Sequence, residues 1–294
     1  MNKTGVLLMA HGTPSSMEEM PEYLRLVRGG RPASPELVAE MRHNYEAIGG
    51  RSPLTDLTMR QADALRERLG PDLPVAVGMR NWKPFIAGAL DELRAASVVR
   101  VIAIPLAPQF STLSIDKYFA AASAALSDGM EMIRVGSFYL NPLLVLAFAE
   151  RLQAARPGAD DEVVFTAHSL PKRVVDEGDR YVDEVAATAH GVAILAGVPK
   201  PKVAIAYQSA GRTPEPWIGP DLGAFIRERA AAGARSFIVV PIGFVCDHTE
   251  ILFDIDVQAR QAADAVGASL RRTESLNTSP TFIAMLEDLV RRHL

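Results

Sequence analysis

Cysteine is the scarcest residue of this chain: Cys246 stands alone among 294 residues. That excludes an intrachain disulfide and any cluster needing several thiolate ligands from this chain, and it suits a reducing compartment. A surplus of positive charge is missing too, with 31 Lys and Arg against 35 Asp and Glu, a net charge of −4 and a pI near 5.9. Nothing here resembles the basic excess that holds nucleic acid or an anionic membrane surface. Long apolar runs are also lacking. The run Gly5-Val-Leu-Leu-Met-Ala10 stops at His11, too short for a signal-peptide core, and no stretch approaches the ~18 residues of a membrane span. The pairs Gly29-Gly30 and Gly49-Gly50 fit neither the Walker nor the GxGxxG spacing. These absences lead us to expect a cytoplasmic protein of two ordinary domains, without nucleic-acid partner or membrane insertion.

What the chain does have is a repeated order of short apolar runs. Val6-Leu-Leu-Met-Ala-His-Gly-Thr-Pro14 echoes Val164-Phe-Thr-Ala-His-Ser-Leu-Pro171. Val99-Arg-Val-Ile-Ala-Ile-Pro105 is matched by Ser236-Phe-Ile-Val-Val-Pro-Ile242, with Pro74-Val-Ala-Val-Gly78 and Lys202-Val-Ala-Ile-Ala-Tyr207 lying between the members of each half. Glu131-Met-Ile-Arg-Val135 and Ala268-Ser-Leu-Arg271 close the two halves. Helical spacing fills the intervals, as in Met59–Leu69 and Phe85–Leu93. Strands alternating with helices predict an α/β protein with two parallel four-stranded sheets. The turn-rich Arg156-Pro-Gly-Ala-Asp-Asp161 divides it into 1–156 and 157–294. A last helix over 280–293 carries an apolar face of Phe282, Met285, Leu286 and Leu289, free by its sequence to pack on either half.

Open α/β sheets bind ligands beyond the carboxyl ends of their strands. His168 ends one strand and Glu250 follows another, so an imidazole and a carboxylate stand where a divalent metal could be held or protons moved near neutral pH. His43, His190 and His293 end no strand and read as structural hydrogen bonders. Asp247 and Thr249 compete to cap the helix that Glu250 enters. Helical pitch would align Glu250, Asp254 and Gln258 as a polar row along an otherwise apolar helix. Tyr207-Gln-Ser-Ala-Gly-Arg-Thr-Pro214 offers short polar groups after a strand, and Tyr45–Pro53 reads as a ligand-covering loop. Arg28, Arg31, Arg51 and Arg80 are candidates to receive carboxylates.

These motifs together resemble the ferrochelatase family, in its compact form from bacteria that make haem through coproporphyrin. The resemblance runs over essentially the whole chain: Met9-Ala-His-Gly-Thr-Pro14, Tyr45-Glu-Ala-Ile-Gly-Gly50, Ser52-Pro-Leu54 and Leu106-Ala-Pro-Gln-Phe-Ser-Thr112 in the first half. Ala167-His-Ser-Leu-Pro171, Tyr207-Gln-Ser209, Thr213-Pro-Glu-Pro-Trp217, Gly219-Pro-Asp221 and Gly243-Phe-Val-Cys-Asp-His-Thr-Glu250 follow in the second. The resemblance implies two Rossmann-like domains around a porphyrin cleft and insertion of Fe2+, as substrate, into coproporphyrin III.

His168 and Glu250 are then the catalytic and metal-handling pair, with Asp254 a further candidate ligand and His11 a candidate axial ligand of the product haem. His11, Arg28, Ser52, Tyr118, Ser209 and Trp217 are the porphyrin-binding candidates; Ser52 and Tyr118 match propionate-holding positions of the family, and Arg51 rests on chemistry alone. His11 departs from relatives that carry a tyrosine there, and Gln258 from those with a third carboxylate, which argues against an auxiliary Mg2+ site. One cysteine excludes the iron–sulfur cluster of some ferrochelatases. A monomer is expected, with transient contact to neighbouring haem-pathway enzymes. The alternatives are a cobalt or nickel chelatase acting on sirohydrochlorin and a non-catalytic haem or porphyrin carrier.

Overall fold

A computed structural model describes residues 3–199, 203–211 and 213–294. Among the described residues eight strands form two separate all-parallel sheets. The first is built from β1 (Thr4–Ala10), β2 (Val75–Met79), β3 (Arg100–Pro105) and β4 (Glu131–Arg134), in the order β2-β1-β3-β4. The second takes β5 (Asp161–His168), β6 (Val203–Gln208), β7 (Ser236–Val240) and β8 (Ser269–Arg272), in the order β6-β5-β7-β8. The repeat seen in the sequence is therefore a repeat of topology. Each central strand opens its half: Val6 pairs with Val75 on one side and Ile102 on the other, and Val163 likewise with Val203 and Ile238.

Strand ends differ from the sequence reading by small amounts, each with a cause. β5 runs on to His168 because its ladder with β6 continues through Ala167↔Tyr207 and His168↔Gln208. β7 stops at Val240 rather than Ile242, since Pro241 has no N–H to donate. Lys202, expected to open β6, lies outside the described residues.

Helices cover both sheets. Between β1 and β2 lie α1 (Met20–Val27), α2 (Pro35–Ala47) and α3 (Leu54–Leu69); α4 (Ile86–Ala95), α5 (Ile115–Ala125) and α6 (Pro142–Ala154) follow. The second half adds α7 (Lys172–Asp176), α8 (Tyr181–Ala196), α9 (Leu222–Ala231), α10 (Thr249–Leu252), α11 (Arg260–Asp264) and α12 (Pro280–Arg291). Proline at the first helical position, preceded by a capping Ser34, Asn141 or Ser279, starts α2, α6 and α12.

One apolar cluster runs through both halves, from Leu8 and Ile104 in the first sheet to Phe165 and Ile238 in the second, and on to Phe148 and Leu286 in the helices between. α12 lies on α3 and α6, tied there by Arg68 to Glu287 at 2.6 Å and Asn141 to Asp288 at 2.9 Å. Buried amides join the loops at the strand ends: Gln109 Nε2 donates to Ile242 O at 3.1 Å, and Gln61 Nε2 to Asn277 O at 2.8 Å. The ends of β1 and β5 are thus held by a common core rather than by a linker.

Candidate active site

β5 delivers His168 at its last residue, and the loop after β7 leads into α10, which carries Glu250. His168 Nδ1 lies against the carbonyl of Ser169, which accepts its proton and leaves Nε2 with the free lone pair. That Nε2 faces Glu250 Oε1 at 3.8 Å. A second imidazole repeats the arrangement from the other side: His248 Nδ1 donates to Cys246 O at 3.0 Å, and its Nε2 stands 3.6 Å from Glu250 Oε2. The Phe244 ring packs on His248 with centroids 4.6 Å apart. Burial alone would raise the Glu250 pKa, but the two imidazoles bring it down to about 2. Burial likewise works against charge on His248, and Glu250 outweighs it, so the His248 pKa moves up. Glu250 is an anion flanked by two groups that bind it best once protonated.

His248 was absent from the sequence-based site. It stands in the same motif as Glu250, two positions earlier, but only the loop geometry turns both onto one point.

The expected α-helical row over Glu250, Asp254 and Gln258 needs correction. α10 ends at Leu252, and Asp254–Ala259 is a π-helical segment before α11 resumes the α-helical pitch. An α-helix and a π-segment share an apolar pattern over so short a length, so the sequence did not separate them. Asp254 and Gln258 still line one pocket with Ser209 and Gln208. The expected caps also fail: His248 holds the N-cap position without its side chain bonding a first-turn amide, and Asp247 turns instead to Ser275 Oγ at 2.7 Å and Asn277 Nδ2 at 2.9 Å.

Ser209 has φ +61, uncommon for a residue with a side chain, and its hydroxyl donates to Asp254 Oδ2. Its neighbour Gln208 donates to the carbonyl of Glu250. The end of β6 thereby orients both acids. Burial, and then the charge of Glu250, push Asp254 up to about 6 despite the Ser209 bond. Two carboxylates one turn apart are pushed in opposite directions, one fixed as an anion and one able to exchange a proton near neutrality.

His11 faces this group from the other half. The charges of Glu250, His248 and His168 all act on it, so the four side chains lie within electrostatic reach of one another. Burial, with Arg80 beside it, lowers His11 to about 4, so it is a neutral imidazole at neutral pH. Asn81 Nδ2 lies 3.2 and 3.1 Å from its two ring nitrogens, and Tyr23 meets the ring edge-on with centroids 6.3 Å apart. Gly12 permits this turn: φ is +84, and a Cβ there would stand 2.9 Å from the Trp82 backbone nitrogen. Arg80 lies over the Tyr118 ring at 5.1 Å, and burial raises the Tyr118 pKa to about 12, so its phenol stays protonated.

The remaining candidates are more scattered. Ser52 is buried before α3, and its Oγ accepts from Leu54 N at 3.4 Å. Arg28 is exposed at the end of α1, its carbonyl accepting from Arg31 Nε at 3.3 Å, and Arg51 is drawn into a surface ion pair with Asp56. Trp217 bridges to Pro171 beside the His168 strand and packs so closely on Gly211 that a Cβ there would lie 2.5 Å from its ring. Arg212 lies outside the described residues. Among the structural histidines, His43 meets the Phe253 ring edge-on and His293 Nδ1 lies 2.7 Å from Leu289 O. Among the described residues no three His, Cys, Asp or Glu side chains form a ready metal cage.

Two parallel four-stranded sheets in this order are the chelatase fold. The sirohydrochlorin chelatase of Bacillus subtilis subspecies spizizenii, solved with cobalt, superposes with a TM-score of 0.59 over 99% of this chain and 94% of that one, at 12% identity. A sirohaem-forming enzyme of denitrifying bacteria superposes with a TM-score of 0.50 over 99% of both chains, at 17% identity. Sequence goes further. The ferrochelatase family model matches residues 3–294. The chain is 40% identical to a ferrochelatase of Deinococcus radiodurans over 98% of this chain and 95% of that one. It is 36% identical to a coproporphyrin III ferrochelatase of Anoxybacillus flavithermus over 99% and 96%. The protein belongs to the ferrochelatase family and is an enzyme of haem synthesis that inserts a metal ion into a porphyrin.

Proposed function

We propose that the metal is ferrous iron and the porphyrin coproporphyrin III. The observation that carries the reading is Glu250 held between His168 at 3.8 Å and His248 at 3.6 Å, with the buried His11 within electrostatic reach of all three. A free porphyrin must lose two inner N–H protons as iron enters, and its ring must bend to direct nitrogen lone pairs at the metal. His168 is the base: Nε2 takes one ring proton, the imidazolium pairs with Glu250 instead of repelling it, and once that proton has passed outward the freed Nε2 takes the second. Glu250 also offers an oxygen to the incoming iron, and Asp254 accepts the proton passed outward, as its position near neutrality allows. Neutral His11 supplies a nitrogen to the opposite face of the product iron. Ser52, Tyr118 and Arg28 meet propionates, and Ser209 and Trp217 shape the second wall.

Relatives named for coproporphyrin III at 35–36% identity support the substrate, as does the supply of arginines for four propionates. Among the described residues no helix is long and apolar enough to cross a membrane. Anaerobic mixing of the protein with Fe2+ and coproporphyrin III, followed in the Soret and Q bands, tests the proposal. Insertion collapses the four free-base Q bands to the metallated pattern. A shifted but unmetallated spectrum identifies a carrier, and insertion of Co2+ into sirohydrochlorin with no activity on this pair identifies the cobalt class; either overturns the reading.

A further inference from the structure

β8 ends in Arg272, whose side chain is only 12% exposed although it carries a permanent charge. Its guanidinium makes a fork onto Asp256, with Nε to Oδ1 at 2.9 Å and Nη2 to Oδ2 at 2.8 Å. Nη1 reaches Asp247 Oδ1 at 3.1 Å and also donates to Thr273 O at 3.0 Å. The two aspartates bracket the whole working segment: Asp247 directly precedes His248, and Asp256 lies two positions beyond Asp254. His248, Glu250 and Asp254 all fall between them.

The bracket is anchored beyond Arg272 as well. Asn277 holds Asp247 at both ends, donating to Oδ2 at 2.9 Å and accepting from the Asp247 backbone N–H at 3.0 Å. Its own carbonyl accepts from Gln61 on α3 in the first half, and its φ is +46, in the left-handed region that asparagine tolerates. Without the guanidinium, two carboxylates of one sign would be left close together at the two ends of a segment that changes from α to π pitch. A planar fork fixes direction as well as distance, which a single ammonium does not.

We infer that Arg272 is a positioning residue for metal insertion: it touches neither porphyrin nor metal, and by clamping Asp247 to Asp256 it sets the spacing of His248 and Glu250 from Asp254. The inference rests on the proposed reaction. Wild-type protein is tested first with Fe2+ and, separately, Co2+, and variants are then compared on whichever metal it inserts, so that failure of the iron assignment and failure of this inference are read separately. Arg272→Lys keeps the charge but loses the fork. The expected result is a fall in kcat of about tenfold or more, with porphyrin affinity from fluorescence quenching within about twofold of wild type. Asp256→Asn, which keeps Arg272 and its bond to Asp247, should do the same, and the double variant should be no slower than the slower single one. A simple loss of stability would lower the melting temperature without this split. An Arg272→Lys protein retaining more than half of the wild-type kcat, or losing rate and porphyrin affinity in parallel, overturns the inference. Should that variant fail to fold, Asp256→Asn decides by the same criteria.

Discussion

At His168 the tautomer would carry the proposed chemistry. The Ser169 carbonyl fixes the proton on Nδ1, so Nε2 meets Glu250 as a lone pair until it takes a proton. His168→Ala should therefore abolish insertion while the porphyrin still binds, and Glu250→Gln should cost a comparable amount because an amide neither carries charge nor accepts a proton at neutral pH. Single-turnover rates check both; more than a tenth of the wild-type rate in either variant counts against the role. His11→Ala should leave insertion largely intact but change the spectrum of the bound haem, since the variant lacks the neutral imidazole. An unchanged haem spectrum would reduce His11 to a partner of Asn81. Asp254 gives a stability prediction with a definite sign. Its pKa rises from 3.8 to about 6 on folding, so the folded state favours its proton and is penalised above that pH. Asp254→Asn should raise the urea midpoint at pH 8 by an amount worth up to about 2–3 kcal/mol. The gain should shrink as pH falls through 6 and be gone near 3.8. A lower midpoint than wild type at pH 8 would contradict it.

At the scale of elements, the site depends on how closely the loop after β7 approaches the end of β5. A Cβ on Gly243 would lie 2.8 Å from both Cα and Cβ of Ala167, the residue before His168, so the backbones touch there. Gly243→Val must part them. The expected cost is about 1–3 kcal/mol in denaturant unfolding, with insertion slowed because His168 and Glu250 move apart. Wild-type stability and rate in that variant would show that the loop tolerates the shift. The π-helical segment is the second determinant. It begins at Asp254, and among its residues Ile255 and Ala259 are buried, so its apolar side is held by packing while Asp254 and Gln258 line the pocket. The sequence signalled the polar row without its pitch, because pitch is set by what the segment packs on.

For the whole molecule, the two sheets share an apolar core, with α12 from the second half laid on α3 and α6 of the first. Such a frame fixes the end of β1, which leads into His11, relative to the end of β5, which carries His168. On the proposed reading Arg80, which acts on His11, and Arg28 and Arg31, exposed near the end of α1, would meet several carboxylates. Coproporphyrin III, with four propionates, should accordingly be used much better than protoporphyrin IX, with two. Steady-state rates on both in detergent-free buffer check this, and a preference for protoporphyrin would overturn it.

The strands, their parallel direction, the repeated order of the halves and the pair His168–Glu250 were legible because they rest on local information: apolar runs of strand length, prolines and turn residues between them, and polar groups where such runs end. His248, Asn81 and the partners of Arg272 were not legible, because their roles come from approach in space between residues that nothing links along the chain. The same holds for charge. Sequence alone identifies Glu250, Asp254 and His11 as titratable, while burial and neighbours carry them to about 2, 6 and 4. Desolvation and Coulomb energy depend on distance and enclosure, and only the packed tertiary structure sets those.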